Sequence, residues 1–181
     1  MAVPIFLVGP MGVGKTTVGK LLAEELGVSF CDIDREIETR CGADIPWIFD
    51  VEGEEGFRQR ESRALEDLSH QSDVVLATGG GIVLKPENRS CLKKSGFVVY
   101  LTAPLELLVE RTSKDRRRPL LQVDDPRAVL KRTVEVRDPL YREVSHWIAS
   151  TEGQNPRQLA KNIAAEYRRH YPAGSSLRHS C

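Results

Sequence analysis

The feature that most constrains this chain is one octapeptide near its start. Gly9-Pro10-Met11-Gly12-Val13-Gly14-Lys15-Thr16 fits the pattern G-x-x-x-x-G-K-[ST]. It follows an apolar run over residues 3–8 and opens an amphipathic stretch over residues 15–26, which is the strand–loop–helix setting that a phosphate-binding loop requires. Its glycines let backbone N–H groups turn inward around phosphate oxygens, and the helix N-terminus adds partial positive charge. Lys15 then reaches the β- and γ-phosphates, and the Thr16 hydroxyl is placed to ligate Mg²⁺. A glycine-rich turn before an ordinary helix is the competing reading, and the setting favours the nucleotide.

The rest of the chain alternates short apolar runs with longer amphipathic stretches. Strands are expected at residues 3–8, 29–32, 74–78, 98–101 and 147–149, and helices at 15–26, 35–41, 55–69, 87–95, 105–112, 127–136 and 156–169. Nearly continuous apolar strands separated by helices predict an α/β fold with a parallel sheet covered on both faces. The 181 residues suffice for one domain with a full core. Residues 113–125 are charged and proline-punctuated and read as a mobile loop. Residues 171–181 read as a disordered tail.

Composition excludes some classes of function. Lys+Arg and Asp+Glu are equal at 26 each, which argues against nucleic acid or an anionic membrane as partner. No apolar run approaches the roughly 20 residues needed to span a bilayer. Cys31, Cys41, Cys91 and Cys181 have no metal-like spacing and read as reduced thiols of a cytoplasmic protein.

Three further constellations lie beyond the loop. Asp32-Ile33-Asp34 closes the second expected strand. Residues two apart on a strand share a side, so both carboxylates are expected to face the crevice at the carboxyl ends of the strands. Asp32 would hold Mg²⁺ through water and Asp34 would accept from an acceptor hydroxyl, with an N-cap for the next helix as the competing role for Asp34. In Gly53-Glu54-Glu55-Gly56-Phe57-Arg58-Gln59-Arg60-Glu61, Arg58 and Glu61 share one helical face. They read either as a carboxylate-capturing arginine with its orienting partner or as a solvated ion pair. Gly79-Gly80-Gly81 ends the third expected strand and lets a ligand approach the backbone closely.

In this order, GPMGVGKTTVG, the D-I-D pair, GEEGFRQRE, ATGGG, RRRPLL and RDPLY make the chain similar to the shikimate kinase family over residues 5–168. The resemblance implies a P-loop fold of the nucleoside monophosphate kinase type, a three-layer αβα sandwich with a five-stranded parallel sheet. It carries a substrate-binding segment at about 34–61 and a lid at about 113–125. The implied reaction moves the γ-phosphate of ATP to the 3-hydroxyl of shikimate, a step toward chorismate and the aromatic amino acids.

The same resemblance implies roles for individual residues. ATP would be held by Gly12, Val13, Gly14, Lys15, Thr16, Thr17, Arg118 and Gln154, with one Mg²⁺ on Thr16 and, through water, Asp32. Shikimate would be held by Asp34, Arg58, Glu61, Gly79, Gly80, Gly81 and Arg137. Lys15, Asp34 and Arg118 would be the catalytic groups, Asp34 as general base or as orienter of the hydroxyl, and Arg118 on the lid. Gln154 stands where the family often has a basic residue. A monomer is the expected state, and a kinase of another small hydroxylated acid such as gluconate is the alternative.

Overall fold

The computed structural model describes residues 3–113 and 125–172. Five strands, β1 (Ile5–Val8), β2 (Ser29–Asp32), β3 (Val74–Ala77), β4 (Phe97–Thr102) and β5 (Trp147–Ser150), form one parallel sheet in the order β2-β3-β1-β4-β5. The helices are α1 (Lys15–Leu26), α2 (Ile33–Cys41), α3 (Ile45–Ser69), α4 (Pro86–Ser95), α5 (Leu105–Ser113), α6 (Pro126–Val144) and α7 (Pro156–His170). A short 3-10 turn, Ile82–Leu84, precedes α4.

Strand side chains alternate between two cores. Ile5, Leu7, Val75, Val99 and Leu101 pack with α1, α5 and α7, whereas Phe6, Val8, Leu76, Val98 and Tyr100 pack with α2, α3, α4 and the end of α6. Both faces are therefore apolar, which is why β1, β3 and β4 read as unbroken hydrophobic runs. β1 lies between β3 and β4, so the loop after it opens at the middle of the carboxyl edge.

Three expectations need correction. Asp32 ends β2, but Asp34 lies in the first turn of α2, so the two aspartates do not share a strand. The cap is Asp32, whose Oδ1 accepts from the Asp34 N–H at 3.1 Å, because a carboxylate at that position satisfies an orphan donor of the helix start. The helix expected to end at Val136 continues through Arg137 and Pro139 to Val144. The helix expected from Glu55 is present behind a break at Gly53, but an unexpected helical stretch from Ile45 precedes it. The expected lid, apart from Ser113 and Asp125, and the tail beyond Pro172 lie outside the described residues.

Candidate active site

The carboxyl edge of the sheet opens into a cavity of about 910 Å³. Part of its lining is the loop after β1, where Gly9, Gly12 and Gly14 all have positive φ and Gly14 caps α1. The Lys15 ammonium donates to the carbonyls of Gly9 at 2.6 Å and Pro10 at 3.0 Å, so the side chain bridges its own loop. Thr16 Oγ1 donates to Asp32 Oδ2 at 2.8 Å. A hydroxyl and a carboxylate adjacent at the mouth of the loop are hard oxygen donors of the type Mg²⁺ selects, and two such groups suit an ion that keeps waters and substrate phosphates as its other ligands.

Gly79, Gly80 and Gly81 form another part of the lining, and each lies against different neighbours. A Cβ on Gly79 would lie 2.6 Å from Glu61 Oε1 and 2.9 Å from Asp34 Oδ1. On Gly80 it would lie 3.4 Å from Arg137 Nη1 and 3.5 Å from the Met11 nitrogen of the phosphate loop. On Gly81 it would fall 2.3 Å from the Arg58 guanidinium carbon. The turn is a bare strip of backbone on which one carboxylate pair and two guanidinium groups converge.

Three of those charged groups are buried, and Asp34 is partly exposed. Arg58 is 6% exposed, Arg137 8% and Glu61 0%, which removes the solvated-pair reading of Arg58 and Glu61. Arg58 Nη1 donates to Glu61 Oε2 at 2.9 Å and Nη2 to Glu54 Oε1 at 3.2 Å. Burial pushes the Glu61 carboxyl up to about 7, Arg58 and Arg137 pull it back, and Asp34 adds to the rise. Burial opposes the charge on Arg58, and Glu61 and Glu54 more than offset it, so its net shift is upward. Glu61 Oε1 and Arg58 Nε are buried with no hydrogen-bond partner. A buried charged group with unused bonding capacity beside a cavity is suited to a polar ligand.

Arg137 owes its place to α6. Tyr141, one turn further along, donates its phenol to the Gly80 carbonyl, and burial raises its pKa to about 12. Asp138 accepts from Tyr100 Oη at 2.7 Å and from Arg142 Nε at 2.7 Å, which ties α6 to β4. The RDPLY segment thus supplies one cavity residue and two struts.

Every site residue expected from the sequence lines this cavity or its immediate wall except Arg118, which lies outside the described residues. The structure adds residues that the sequence did not single out. Arg111 Nη1 on α5 donates to the carbonyls of Gly12 at 3.3 Å and Val13 at 3.0 Å and to Thr151 Oγ1 at 3.3 Å. Arg111, Thr151 and Pro156 line the cavity together with Gln154, and so do Ile45, Pro46 and Phe49. The spacing of Tyr141 four residues after Arg137 was the one available signal. An isolated arginine on an amphipathic helix gives none.

The family model for shikimate kinase matches residues 11–168. A shikimate kinase of Hahella chejuensis is 55% identical over 164 residues, 91% of this chain and 85% of that one. The chain belongs to the shikimate kinase family. Membership makes it an enzyme, a kinase with ATP as co-substrate. A solved shikimate kinase from Acinetobacter baumannii, in complex with shikimate, superposes with a TM-score of 0.92 at 49% identity, over 95% of this chain and 96% of that one. A gluconokinase from Sinorhizobium meliloti has a TM-score of 0.62 at 19% identity over 93% of each chain, a likeness of fold alone. The five-stranded parallel sheet between helical layers is the architecture that the family implies.

Proposed function

We propose that this enzyme transfers the γ-phosphate of ATP to the 3-hydroxyl of shikimate, giving shikimate 3-phosphate and ADP, a step toward chorismate and the aromatic amino acids. The observation that carries the reading is the pair of buried guanidinium groups, Arg58 and Arg137, set over Gly81 and Gly80 with Asp34 at Gly79. Two arginines suit a carboxylate at one end of a small acceptor, and Asp34 suits a hydroxyl at the other. A polyol without a carboxylate has no use for the pair.

Each residue then has a task. Arg58 and Arg137 bind the carboxylate, with Glu61 orienting Arg58. The Gly79–Gly81 backbone closes under the ring, and Gly80 donates its N–H. Asp34 receives the transferred hydroxyl and is the base candidate, although phosphoryl transfer asks more for positioning and charge than for a strong base. Gly12, Val13, Gly14, Lys15, Thr16 and Thr17 hold the triphosphate. The base of ATP extends toward Arg111, Thr151, Gln154 and Pro156, which line the cavity, with Arg111 bonded to the Gly12 and Val13 carbonyls of the phosphate loop. Thr16 and, through water, Asp32 hold one Mg²⁺, which when bound supplies neutralisation of the β- and γ-phosphate oxygens. Arg118, which lies outside the described residues, is assigned to the transferring phosphoryl group by the family resemblance alone.

We assign the enzyme to the cytoplasm as a monomer acting on small molecules, with neither nucleic acid nor membrane as partner. The equal count of 26 basic and 26 acidic residues supports this. Among the described residues no helix is long and apolar enough to cross a membrane.

ADP release from ATP and Mg²⁺, measured with and without shikimate and with gluconate as control, tests the reading. Release that depends on shikimate is expected. Release that ignores shikimate, or that follows gluconate instead, overturns it.

A further inference from the structure

The segment that carries the acceptor wall is not one continuous helix. Gly53 interrupts α3 with φ 70° and ψ −179°, a combination essentially confined to glycine. No atom lies within 4 Å of where its Cβ would sit, so the glycine is needed for its backbone and not for space. Ahead of the break, residues 45–52 bring Ile45, Pro46 and Phe49 to the cavity. Behind it, residues 54–69 bring Phe57, Arg58 and Glu61. The angle at Gly53 therefore sets how far the wall stands from the guanidinium that would take the substrate carboxylate.

An ion pair spans that break. Arg60 Nε donates to Glu52 Oε2 at 2.8 Å and Arg60 Nη2 to Glu52 Oε1 at 2.7 Å, a two-pronged contact between residues on opposite sides of Gly53. Gly56 leaves the lane in which Glu52 lies, since a Cβ there would fall 2.5 Å from Glu52 Cβ and 3.2 Å from its Oε2. On the cavity side the Phe49 and Phe57 rings meet at 4.9 Å, one from each side of the break. The hydrogen bonds from Arg60 hold the Glu52 carboxyl below the usual carboxylate range, so it is ionised at neutral pH. Neither Glu52 nor Arg60 lines the cavity.

We infer that Glu52 and Arg60 are positioning residues for the acceptor: their ion pair, laid over Gly56, fixes the bend at Gly53 and with it the separation of the Phe49 wall from Arg58. This rests on the reading that shikimate is the acceptor. A partly exposed pair contributes little to global stability, whereas a modest change in bend acts directly on the fit of a small ligand.

Glu52→Gln weakens the pair, and Gly56→Ala displaces Glu52 while improving helix propensity. Each is expected to raise the shikimate KM about three- to fivefold, with kcat and the ATP KM changed by less than about twofold. The Tm of Gly56→Ala should fall, because the Glu52 Cβ is fixed to the backbone and the turn has to shift to admit the methyl. Added NaCl should raise the shikimate KM of both proteins, because it screens capture of the carboxylate, and should narrow the gap between wild type and Glu52→Gln, because only the wild type also has the ion pair to lose. If Gly56→Ala does not fold, Glu52→Gln and the salt series decide the matter. An active wild type whose shikimate KM is unchanged in the variants, even with a lower Tm, overturns the inference. A wild type with no shikimate-dependent ADP release overturns the proposed function itself, so the two failures are distinguishable.

Discussion

The guanidinium of Arg58 lies against Gly81 so closely that a Cβ there would fall 2.2 Å from Nη1 and 2.3 Å from Cζ. Glu61, on the same helix, holds that guanidinium by Nη1, so an added methyl has to expel a buried charge from its place. A charge-assisted hydrogen bond is worth about 1.5–3 kcal/mol, so Gly81→Ala should raise the shikimate KM about 10- to 150-fold. The ATP KM should hold. Steady-state kinetics at saturating ATP reads this, and an unchanged shikimate KM would remove Arg58 from the proposed carboxylate site.

Asp32 has two duties that substitution can separate. Its Oδ1 caps α2 and its Oδ2 accepts from Thr16. Asp32→Asn keeps a good cap but loses the negative charge, so the Mg²⁺ concentration for half-maximal rate should rise at nearly unchanged Tm. Asp32→Ala should show the same Mg²⁺ defect and lose in addition about 1 kcal/mol of stability from the missing cap. Mg²⁺ titrations of activity, set beside thermal melts, check both; equal Mg²⁺ dependence in all three proteins would remove Asp32 from the proposed metal site.

Asp34→Asn tests the base. The amide preserves size and one acceptor oxygen beside Gly79 but accepts no proton. As general base, Asp34 should be worth about 10²–10⁴ in kcat. A variant that keeps most of its kcat would leave Asp34 only the orienting role, and the pH–rate profile of wild type against variant shows which.

His146 makes stability depend on pH. Its Nδ1 accepts from the Val98 N–H at 3.1 Å, and burial, followed by the nearby His170, lowers its pKa below the ordinary 6.5. The folded state thus binds this proton less readily than the unfolded one. The contribution is complete above about pH 6.5 and is lost as pH falls through the lowered folded value. Denaturant unfolding between pH 7.5 and 5 should show a fall in stability that is reduced in His146→Asn; parallel curves would remove His146 as its source.

How much was legible in the sequence depended on whether a feature is local. The phosphate loop was, because eight consecutive residues between a strand and a helix carry it. The three glycines were conspicuous by number, but the groups packed on them are four side chains, Asp34, Arg58, Glu61 and Arg137, arriving from α2, α3 and α6. The aspartates were assigned to the right crevice by the wrong geometry, since strand alternation does not extend past Asp32 into a helix. Arg137 fell just beyond the helix expected at residues 127–136. The helix continues because Tyr141 and Val144 bury themselves completely on the far side of the proline. Arg111 had no signature at all: its partners are carbonyls about a hundred residues earlier in the chain.

The two cores on opposite faces of the sheet have a consequence for how such an enzyme can change. The layer of α1 and α7 backs the phosphate loop, and the layer of α2, α3 and the end of α6 backs the acceptor groups. The groups proposed for the donor and for the acceptor are therefore backed by separately packed layers. Selection can rewrite which small molecule is recognised by altering one layer alone, while the costly machinery for handling a triphosphate passes unaltered to the descendant.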